Sequence, residues 1–393
     1  MATIEKNQNA EGTQACAEPN GSVTKAEEAR IVDACEKGDI DELRDIALAP
    51  GGFLSDHLRS RAWPTLLGLS TDTMPGSSAE TSLSWRHLPR HRDEEQVGLD
   101  VNRSFVYYPN HDSQAELEEK KSELSDLITE VLRKQPYLCY FQGYHDICQV
   151  LLLALPAPLR TLAVSRLSVL RIRDFMLPTL APAIQQLRLI PDLLRAVDPE
   201  LCQHLSRNEP YFALSDTLTM FAHNVQRYSD IARLFDVLIA REQVFSIYIV
   251  TQIVLRRRGE LLAHDEPDML HFVLSKLPPN LDLEAVVTEA ALLIKKHPPE
   301  SLRSWREISG ASVLKTARDA KALAGQSLQD GRVFFEKQAR ELRWAEHRQR
   351  MMRVAWTNRT LLFTILVGIG AIYLRRTPAW AGLMAWIARW RRS

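Results

Sequence analysis

Cysteine is scarce in this sequence, and several motifs that mark common enzymes are missing. The five cysteines are an odd number and include no Cys-x-x-Cys pair. This argues against a disulfide framework or a structural zinc site, and for reduced thiols in a cytosolic setting. The motifs Gly-x-x-x-x-Gly-Lys-Ser/Thr, Gly-x-Gly-x-x-Gly, Gly-x-Ser-x-Gly and His-Glu-x-x-His do not occur. We therefore expect no phosphate-binding loop, dinucleotide site, serine hydrolase or zinc peptidase.

The chain as a whole also lacks an excess of charge of either sign. Its 49 Lys and Arg residues balance its 49 Asp and Glu residues, which argues against a strongly basic nucleic-acid-binding protein. Residues 340–393, however, contain eleven arginines and two glutamates, a net charge of +9, so residues 1–339 carry −9. An acidic body joined to a basic tail predicts that the tail binds a membrane or another acidic surface.

An apolar run without charge, TLLFTILVGIGAIYL, lies at residues 360–374. As a helix it would cover about 22 Å, short of the ~30 Å hydrocarbon core of a bilayer. A helix that starts at Ala355, with Arg359 reaching to the headgroups, would cover about 30 Å. We therefore expect a single transmembrane span, with the body in the cytosol because arginines precede the span. A second apolar run at 379–388 leaves a shallow membrane hairpin as one alternative. A core helix or a surface helix is another.

Helical periodicity dominates the rest of the sequence. An apolar stripe at helical spacing follows Ser113 and ends before Pro136, and no alternating strand pattern is found. The uncharged stretch at 244–255 has the length of a buried helix and is too short for a membrane span. We predict an all-α protein: a disordered segment at 1–24, one large helical domain at 25–310 with its core at about 50–300, a basic helical neck at 311–354, and a membrane anchor with a basic tail at 355–393.

Two pairs of residues that include histidine, His87 with His91 and His145 with Asp146, could in principle carry chemistry, but the surrounding residues argue against it. His87 and His91 are spaced for one helical turn, but neighbouring arginines would repel a metal cation, so no metal site is expected. The pair His145-Asp146 could act as an acid–base group. No nucleophile stands at a recognisable distance from it, and we interpret it as a hydrogen-bonded helix start.

Three short segments, in a fixed order, carry a stronger functional signal. Asp100 and Arg103 lie three residues apart, close enough to pair on one face of a helix. Gln142 follows a helix in an aromatic turn, beside a glycine. The full set is, in chain order, Arg59-x-x-x-Trp63, Val97-x-x-Asp100-x-x-Arg103 and Tyr140-x-Gln142-Gly143.

This ordered set resembles the signatures of the TBC-domain GTPase-activating proteins for Rab GTPases, with Val97 where that family often has Ile. The resemblance covers roughly residues 50–300 and implies a single helical TBC-type domain. It implies that Arg103 is an arginine finger and Gln142 a glutamine finger, both supplied in trans to the GTP of a partner. Asp100 and Tyr140 would support these two side chains. The remaining motif residues would frame the fold or the GTPase-facing groove: Arg59, Trp63 and Gly143.

The resemblance also implies a function. The chain would accelerate GTP hydrolysis by membrane-bound Rab GTPases of the early secretory pathway, at the endoplasmic reticulum or early Golgi membrane, with the catalytic domain facing the cytosol. Its partners would be a Rab in the GTP form and membrane lipid. It would be an activator with no independent reaction and no cofactor of its own, because GTP and Mg²⁺ are bound by the partner. A non-catalytic, membrane-tethered adaptor for a small GTPase is the alternative.

Overall fold

The computed structural model describes residues 21–69, 84–109, 113–375 and 378–390, and these ranges contain helices and no β-strand. The all-α prediction is therefore confirmed. The α-helices are, in chain order, α1 (Gly21–Lys37), α2 (Ile40–Leu48), α3 (Asp56–Leu66), α4 (Glu94–Asn102), α5 (Gln114–Lys134), α6 (Tyr144–Ala154), α7 (Ala157–Arg166), α8 (Ala181–Leu187), α9 (Leu189–Val197), α10 (Pro199–His204), α11 (Leu214–Leu218), α12 (Tyr228–Ala240), α13 (Phe245–Arg256), α14 (Arg258–Leu262), α15 (Pro267–Leu274), α16 (Leu283–Lys296), α17 (Val313–Thr316), α18 (Ala320–Ala324), α19 (Leu328–Thr357), α20 (Arg359–Arg375) and α21 (Pro378–Trp390).

Helices α6, α12 and α13 form the centre of the core. Helix α12 is buried from Ile231 to Ala240, and it packs against α2 and α3. Helix α13 is buried from Phe245 to Thr251, and it packs against α9 and α16. The uncharged stretch at 244–255 is thus a core helix, as its length predicted.

Helix α5 supports the two segments that carry the predicted fingers. It begins at the N-cap Ser113, whose hydroxyl accepts the Glu116 N–H at 3.2 Å, and it ends before Pro136. Helix α4 ends one residue before Arg103, and α6 begins one residue after Gly143. Both helices pack against α5 and contact each other. The two finger segments are therefore held by one group of three helices that pack against one another.

Arg59 and Trp63 converge on a buried carboxylate, that of Asp236 on α12. Arg59 Nε and Nη2 donate to its two oxygens at 3.0 and 3.1 Å, and the Trp63 indole donates at 2.8 Å. The Phe53 N–H adds a fourth donor at 3.2 Å, while Arg59 also pairs with Asp56 at 3.0 Å. Burial raises the pKa of the Asp236 carboxyl, and the Arg59 guanidinium opposes that shift. This first motif therefore ties α3 to α12 and serves the fold.

We expect Trp63→Phe to lower the free energy of unfolding by about 2 kcal/mol, because a buried carboxylate loses one hydrogen bond of the kind made to a charged group. Urea unfolding of the full chain measures the change. Trp305→Phe is the matched control, because Trp305 is also buried and its indole donates to no described residue. An equal loss in both variants would contradict a role for the Trp63–Asp236 hydrogen bond.

The compact domain extends further along the chain than the sequence suggested. Its described residues continue to Phe335, and a second unit begins at Glu336. Helices α17 and α18 bury Val313, Leu314, Ala320 and Leu323, so residues 311–335 belong to the domain and not to the neck. At the other end, α1 begins at residue 21, inside the segment expected to be disordered, and residues 1–20 of that segment lie outside the described ranges.

The expected transmembrane helix over residues 355–374 is not found. Helix α19 ends at Thr357 and α20 begins at Arg359, so the helix is interrupted at Asn358, inside the proposed span. The 17 residues of α20 cover about 25 Å, less than the ~30 Å of a hydrocarbon core. Across the described residues, no helix combines the length and the apolar content that crossing a bilayer requires. Helices α20 and α21 contact each other.

Candidate catalytic groove

Arg103 caps the C-terminal end of α4 and is held at its base by a buried carboxylate. Its Nη2 donates to Asp100 Oδ1 at 2.6 Å, and Gln96 Nε2 donates to the same oxygen at 3.0 Å. The Asp100 side chain is 1% exposed, whereas that of Arg103 is 54% exposed. The predicted pairing at a spacing of three is therefore present. The pairing orients the Arg103 guanidinium, whose other N–H groups can still donate to solvent or to a partner.

Tyr140 joins the two finger segments. Its hydroxyl donates to Asp100 Oδ2 at 2.8 Å, and its backbone N–H donates to Asp93 Oδ2 at 2.9 Å. Burial raises the pKa of Tyr140, and the hydrogen bond to Asp100 raises it further, so the hydroxyl keeps its proton. One carboxylate thus binds both Arg103 and the turn that precedes Gln142. Asp93 also supports this turn, although the three motifs do not include it.

Gly143 sets the direction of the turn that presents Gln142. Its φ of +101° lies in the left-handed region, and it is the N-cap of α6. A Cβ on this residue would stand 2.5 Å from Thr219 Cγ2, closer than any real contact. Glycine is therefore required here both for its conformation and for its size. The Gln142 side chain is exposed and hydrogen-bonds to no described residue, so its amide is free to bind a partner.

Arg103 and Gln142 line one groove of about 290 Å³. Thr219 and His223, on the segment that follows α11, also line this groove. The groove is lined by Arg103, Phe141, Gln142, Gly143, His145, Leu180, Leu214, Ser215, Leu218, Thr219 and His223. The second and third motifs therefore meet at one concave surface, and the first motif lies elsewhere in the core.

Strained backbone surrounds this groove. Phe105, Met220 and Phe221 have φ values of +62°, +50° and +66°, which bulky residues seldom adopt. Gln149 on α6 holds the segment after Arg103 in place: its Oε1 accepts the Phe105 N–H, and its Nε2 donates to the Tyr108 carbonyl, both at 3.0 Å. Strain of this kind persists only where the surroundings fix it, and it is common at functional sites.

Two histidines share a carboxylate beside the groove. His223 Nδ1 lies 3.0 Å from Asp146 Oδ2, and His145 Nε2 lies 3.2 Å from Asp146 Oδ1. The hydrogen bond with Asp146 raises the pKa of His223, while burial lowers that of His145. The sequence interpretation of His145-Asp146 as a helix start is correct for its position in α6, but it missed these contacts. His91 is one of the two histidines that the sequence analysis weighed as metal ligands. Both of its ring nitrogens are engaged: Nδ1 with the Asp93 N–H at 3.2 Å and Nε2 with the Leu138 carbonyl at 3.1 Å.

Comparison with known proteins identifies the family. The sequence matches the Rab-GTPase-TBC domain over residues 56–262, more than half of the chain. The chain belongs to this family. The match contains all three motifs, so both finger segments are parts of the TBC domain.

Curated relatives extend the likeness beyond the domain. The GTPase-activating protein gyp10 of Schizosaccharomyces pombe is 35% identical over 318 residues, which are 79% of this chain and 83% of that protein. The TBC1 domain family member 20 proteins of cattle and humans are each 34% identical, over 68% and 67% of this chain. Those alignments cover 66% and 65% of the mammalian proteins.

Two solved structures support the fold. The Ypt/Rab-GAP domain of Gyp1p superposes with a TM-score of 0.54 at 15% identity, covering 68% of this chain and 99% of that one. The Chlamydomonas flagellar RabGAP TBC domain gives a TM-score of 0.53 at 14% identity, covering 69% and 91%. At these identities the likeness establishes the TBC fold alone.

Proposed function

We propose that this TBC domain is a GTPase-activating protein for Rab GTPases, with Arg103 and Gln142 as its two fingers. One observation carries the proposal: an anchored but half-exposed guanidinium and an unbound amide line the same groove. A hydrolase that works alone would need a nucleophile or a metal site. The Arg103 guanidinium and the Gln142 amide can act without either. Both are suited to completing a reaction centre that a partner brings.

The guanidinium supplies positive charge where GTP hydrolysis develops negative charge. Its planar fork reaches phosphate oxygens through two parallel hydrogen bonds, which a lysine ammonium does not reproduce. An arginine finger of this kind accelerates GTP hydrolysis by about 10³–10⁵-fold. The buried Asp100 carboxylate restrains the Arg103 guanidinium before the partner arrives, which reduces the entropy lost on binding.

The Gln142 amide supplies the other requirement, an oriented water. Its carbonyl oxygen accepts a hydrogen bond and its NH₂ group donates, so one side chain can hold the attacking water and a phosphate oxygen together. This role requires no shifted pKa. Neither finger needs a cofactor on this chain, because GTP and Mg²⁺ are bound by the partner GTPase.

The test is GTP hydrolysis by a panel of purified Rab GTPases with catalytic amounts of the full-length chain. We expect a large, substoichiometric acceleration for at least one Rab, with the early secretory Rabs first among the candidates. Binding of a GTP-loaded Rab without acceleration of any member of the panel would favour the adaptor function. Acceleration that needs one activator per GTPase would contradict a multiple-turnover activator.

We further propose that the C-terminal unit associates with the cytosolic face of an endoplasmic reticulum or early Golgi membrane by partial insertion. Apolar side chains on α20 and α21 are exposed, among them Phe363, Leu366, Trp386 and Trp390. Arg375 lies between the two apolar runs, and a deep hairpin would place it in hydrocarbon at a cost of about 2.5–3.5 kcal/mol. Helices that lie near the headgroups keep every arginine hydrated. A shared membrane would raise the effective concentration of activator and Rab.

The basic part of α19 makes the membrane proposal testable. Arg348 and Arg350 are exposed, and replacing both with glutamine should weaken binding to anionic vesicles about 30-fold, at about 1 kcal/mol per arginine. Cosedimentation of the full chain with phosphatidylserine-containing vesicles measures the effect. The matched control is Arg188→Gln with Arg195→Gln, two exposed arginines of the compact domain. Equal losses in both double variants would contradict specific contact by α19.

A further inference from the structure

A second basic side chain lines the groove, and it is held in the same way as the arginine finger. Arg103 pairs with the Asp100 carboxylate, and the His223 ring bonds to the Asp146 carboxylate through Nδ1 at 3.0 Å. The side chains of Arg103 and His223 are 54% and 58% exposed. Those of their carboxylate partners are 1% and 15% exposed. In each pair, therefore, the carboxylate is buried and the basic group reaches the surface.

His223 is fixed beside the turn that presents Gln142. Asp146, its partner, lies in the first turn of α6, three residues after Gly143. Four residues before His223, the Thr219 methyl group packs so closely on Gly143 that a Cβ there would stand 2.5 Å from it. The segment that follows α11 thus contacts both the glutamine turn and the start of α6. These contacts hold the His223 ring in the lining of the groove that contains both fingers.

The other ring nitrogen of His223, Nε2, is available to a partner. Nδ1 donates to Asp146, because a carboxylate can only accept. Nε2 hydrogen-bonds to no residue in the described part of the chain. In the neutral ring Nε2 is an acceptor, whereas in the imidazolium it is a donor that belongs to a cation. The protonated ring can therefore donate to an anionic atom that a partner brings into the groove.

The charges around His223 favour its protonated form. The hydrogen bond with Asp146 raises the pKa of His223 above its ordinary value, although burial and the nearby Arg103 charge oppose that shift. The Asp216 carboxylate raises this pKa further. His145 also faces the ring, as the remaining titratable neighbour. The imidazolium therefore persists further into the neutral range than that of an isolated histidine.

The groove has a positive lining in an acidic part of the chain. Residues 1–339 carry a net charge of −9. Among the described residues that line the groove, however, are Arg103 and His223 and no aspartate or glutamate. Two exposed cations without an acidic neighbour in the lining attract a negatively charged ligand. The geometry and the charge of the groove thus agree on the chemistry of its occupant.

We propose that His223 is a second partner-binding residue of the groove, whose imidazolium donates from Nε2 to an anionic oxygen of the GTP-loaded GTPase. The inference rests on the proposed function, which supplies the anionic partner. Two kinds of oxygen have this chemistry: those of the GTP γ-phosphate and those of a carboxylate on the GTPase. A hydrogen bond between charged groups, one of them more than half exposed in the free chain, corresponds to about a fivefold to tenfold gain in affinity.

The proposal has a definite pH dependence. Because the bound anion stabilises the imidazolium, the pKa of His223 is higher in the complex than in the free chain. The contribution to affinity is fully present below the pKa of the free chain. It is lost as the pH rises through the higher pKa of the complex.

Histidine-ring NMR of the full chain, with ¹⁵N-labelled histidine, tests the cation without any GTPase. We expect His223, assigned by the signals that are missing in His223→Asn, to titrate above the ordinary value of about 6.5. Its pKa should fall in Asp146→Asn, which removes the charge of its partner. The reference is His271, an exposed histidine of α15 outside the groove, whose pKa should not move. A His223 pKa that is the same in the wild type and in Asp146→Asn would overturn the inference.

Affinity for a GTPase tests the contact. The probe is the Rab that the chain binds most tightly, loaded with a non-hydrolysable GTP analogue, with Kd measured from about pH 6.5 to about pH 8.5. Burial raises the pKa of Asp216 to about 6, so this range titrates mainly His223. His223→Asn, whose amide can still donate to Asp146, should weaken binding about fivefold to tenfold at the lower pH and by less at the higher pH. The control His271→Asn should match the wild type throughout.

Loading the same Rab with GDP distinguishes the two kinds of oxygen. A loss in His223→Asn that is confined to the GTP analogue assigns the contact to the γ-phosphate. An equal loss with GDP assigns it to a carboxylate of the GTPase. Equal affinities of the wild type and His223→Asn, or a loss that does not change with pH, would overturn the inference alone. If the wild-type chain binds no Rab, the proposed function is contradicted and the inference fails with it.

Discussion

Arg103→Ala is expected to lower the activated rate of GTP hydrolysis by about 10³–10⁵-fold, the full value of an arginine finger. The substitution removes the only exposed end of the Arg103–Asp100 pair while leaving the buried end in place. Asp100 keeps its hydrogen bonds with Gln96 and Tyr140, so the turn before Gln142 stays anchored. Single-turnover hydrolysis by a GTP-loaded Rab, with the activator in excess, separates this loss from a change in affinity.

Arg188→Ala is a closely matched control for this experiment. Its side chain is also 54% exposed and also pairs with a carboxylate, that of Glu307, but it lies outside the groove. It should leave the activated rate unchanged. Arg103→Lys should recover little of the lost rate, because an ammonium cannot form the paired hydrogen bonds of a guanidinium. Near-normal rates in Arg103→Ala would mean that this residue is not a finger.

One contact of the candidate site joins residues that are close in sequence, and local spacing predicted it. Asp100 and Arg103 are three residues apart at the end of one helix, and the structure pairs them as the spacing indicated. The aromatic turn before α6 likewise presents Gln142 next to a glycine whose φ excludes other residues. Helical periodicity also predicted α5, which in the structure packs against the helices of both segments. Patterns of this kind depend on the geometry of one helix or one turn, which a sequence encodes directly.

Contacts between distant segments could not be predicted in the same way. Asp236 lies 177 residues after Arg59, and nothing in its local sequence marks it as the acceptor for Arg59 and Trp63. The approach of His223 to Asp146 depends on how the segment after α11 packs against α6. The C-terminal helix boundary at Asn358 was missed for another reason: hydropathy records apolar content but not where the backbone breaks.

Gln142→Ala is expected to lower the activated rate at least about a hundredfold, the usual loss when one preorganised hydrogen-bonding group is removed from a reaction centre. The fold should not change, because the side chain is exposed and contacts no described hydrogen-bond partner. Far-UV circular dichroism and the urea midpoint check that point. Gln203→Ala, another exposed glutamine without a described hydrogen bond, is the matched control and should be neutral.

Gln142→Glu distinguishes an amide that acts chemically from one that merely fills the groove. Glutamate has nearly the same size, but its carboxylate has no hydrogen to donate and carries a charge that the phosphates repel. If Gln142 orients water beside a phosphate, Gln142→Glu should be at least as slow as Gln142→Ala, while Rab binding measured with a non-hydrolysable GTP analogue weakens further. If the residue only shapes the surface, Gln142→Glu should retain most of the wild-type rate. A fast Gln142→Glu variant would assign the water-orienting role to the GTPase itself, and Arg103 would remain the single finger of this domain.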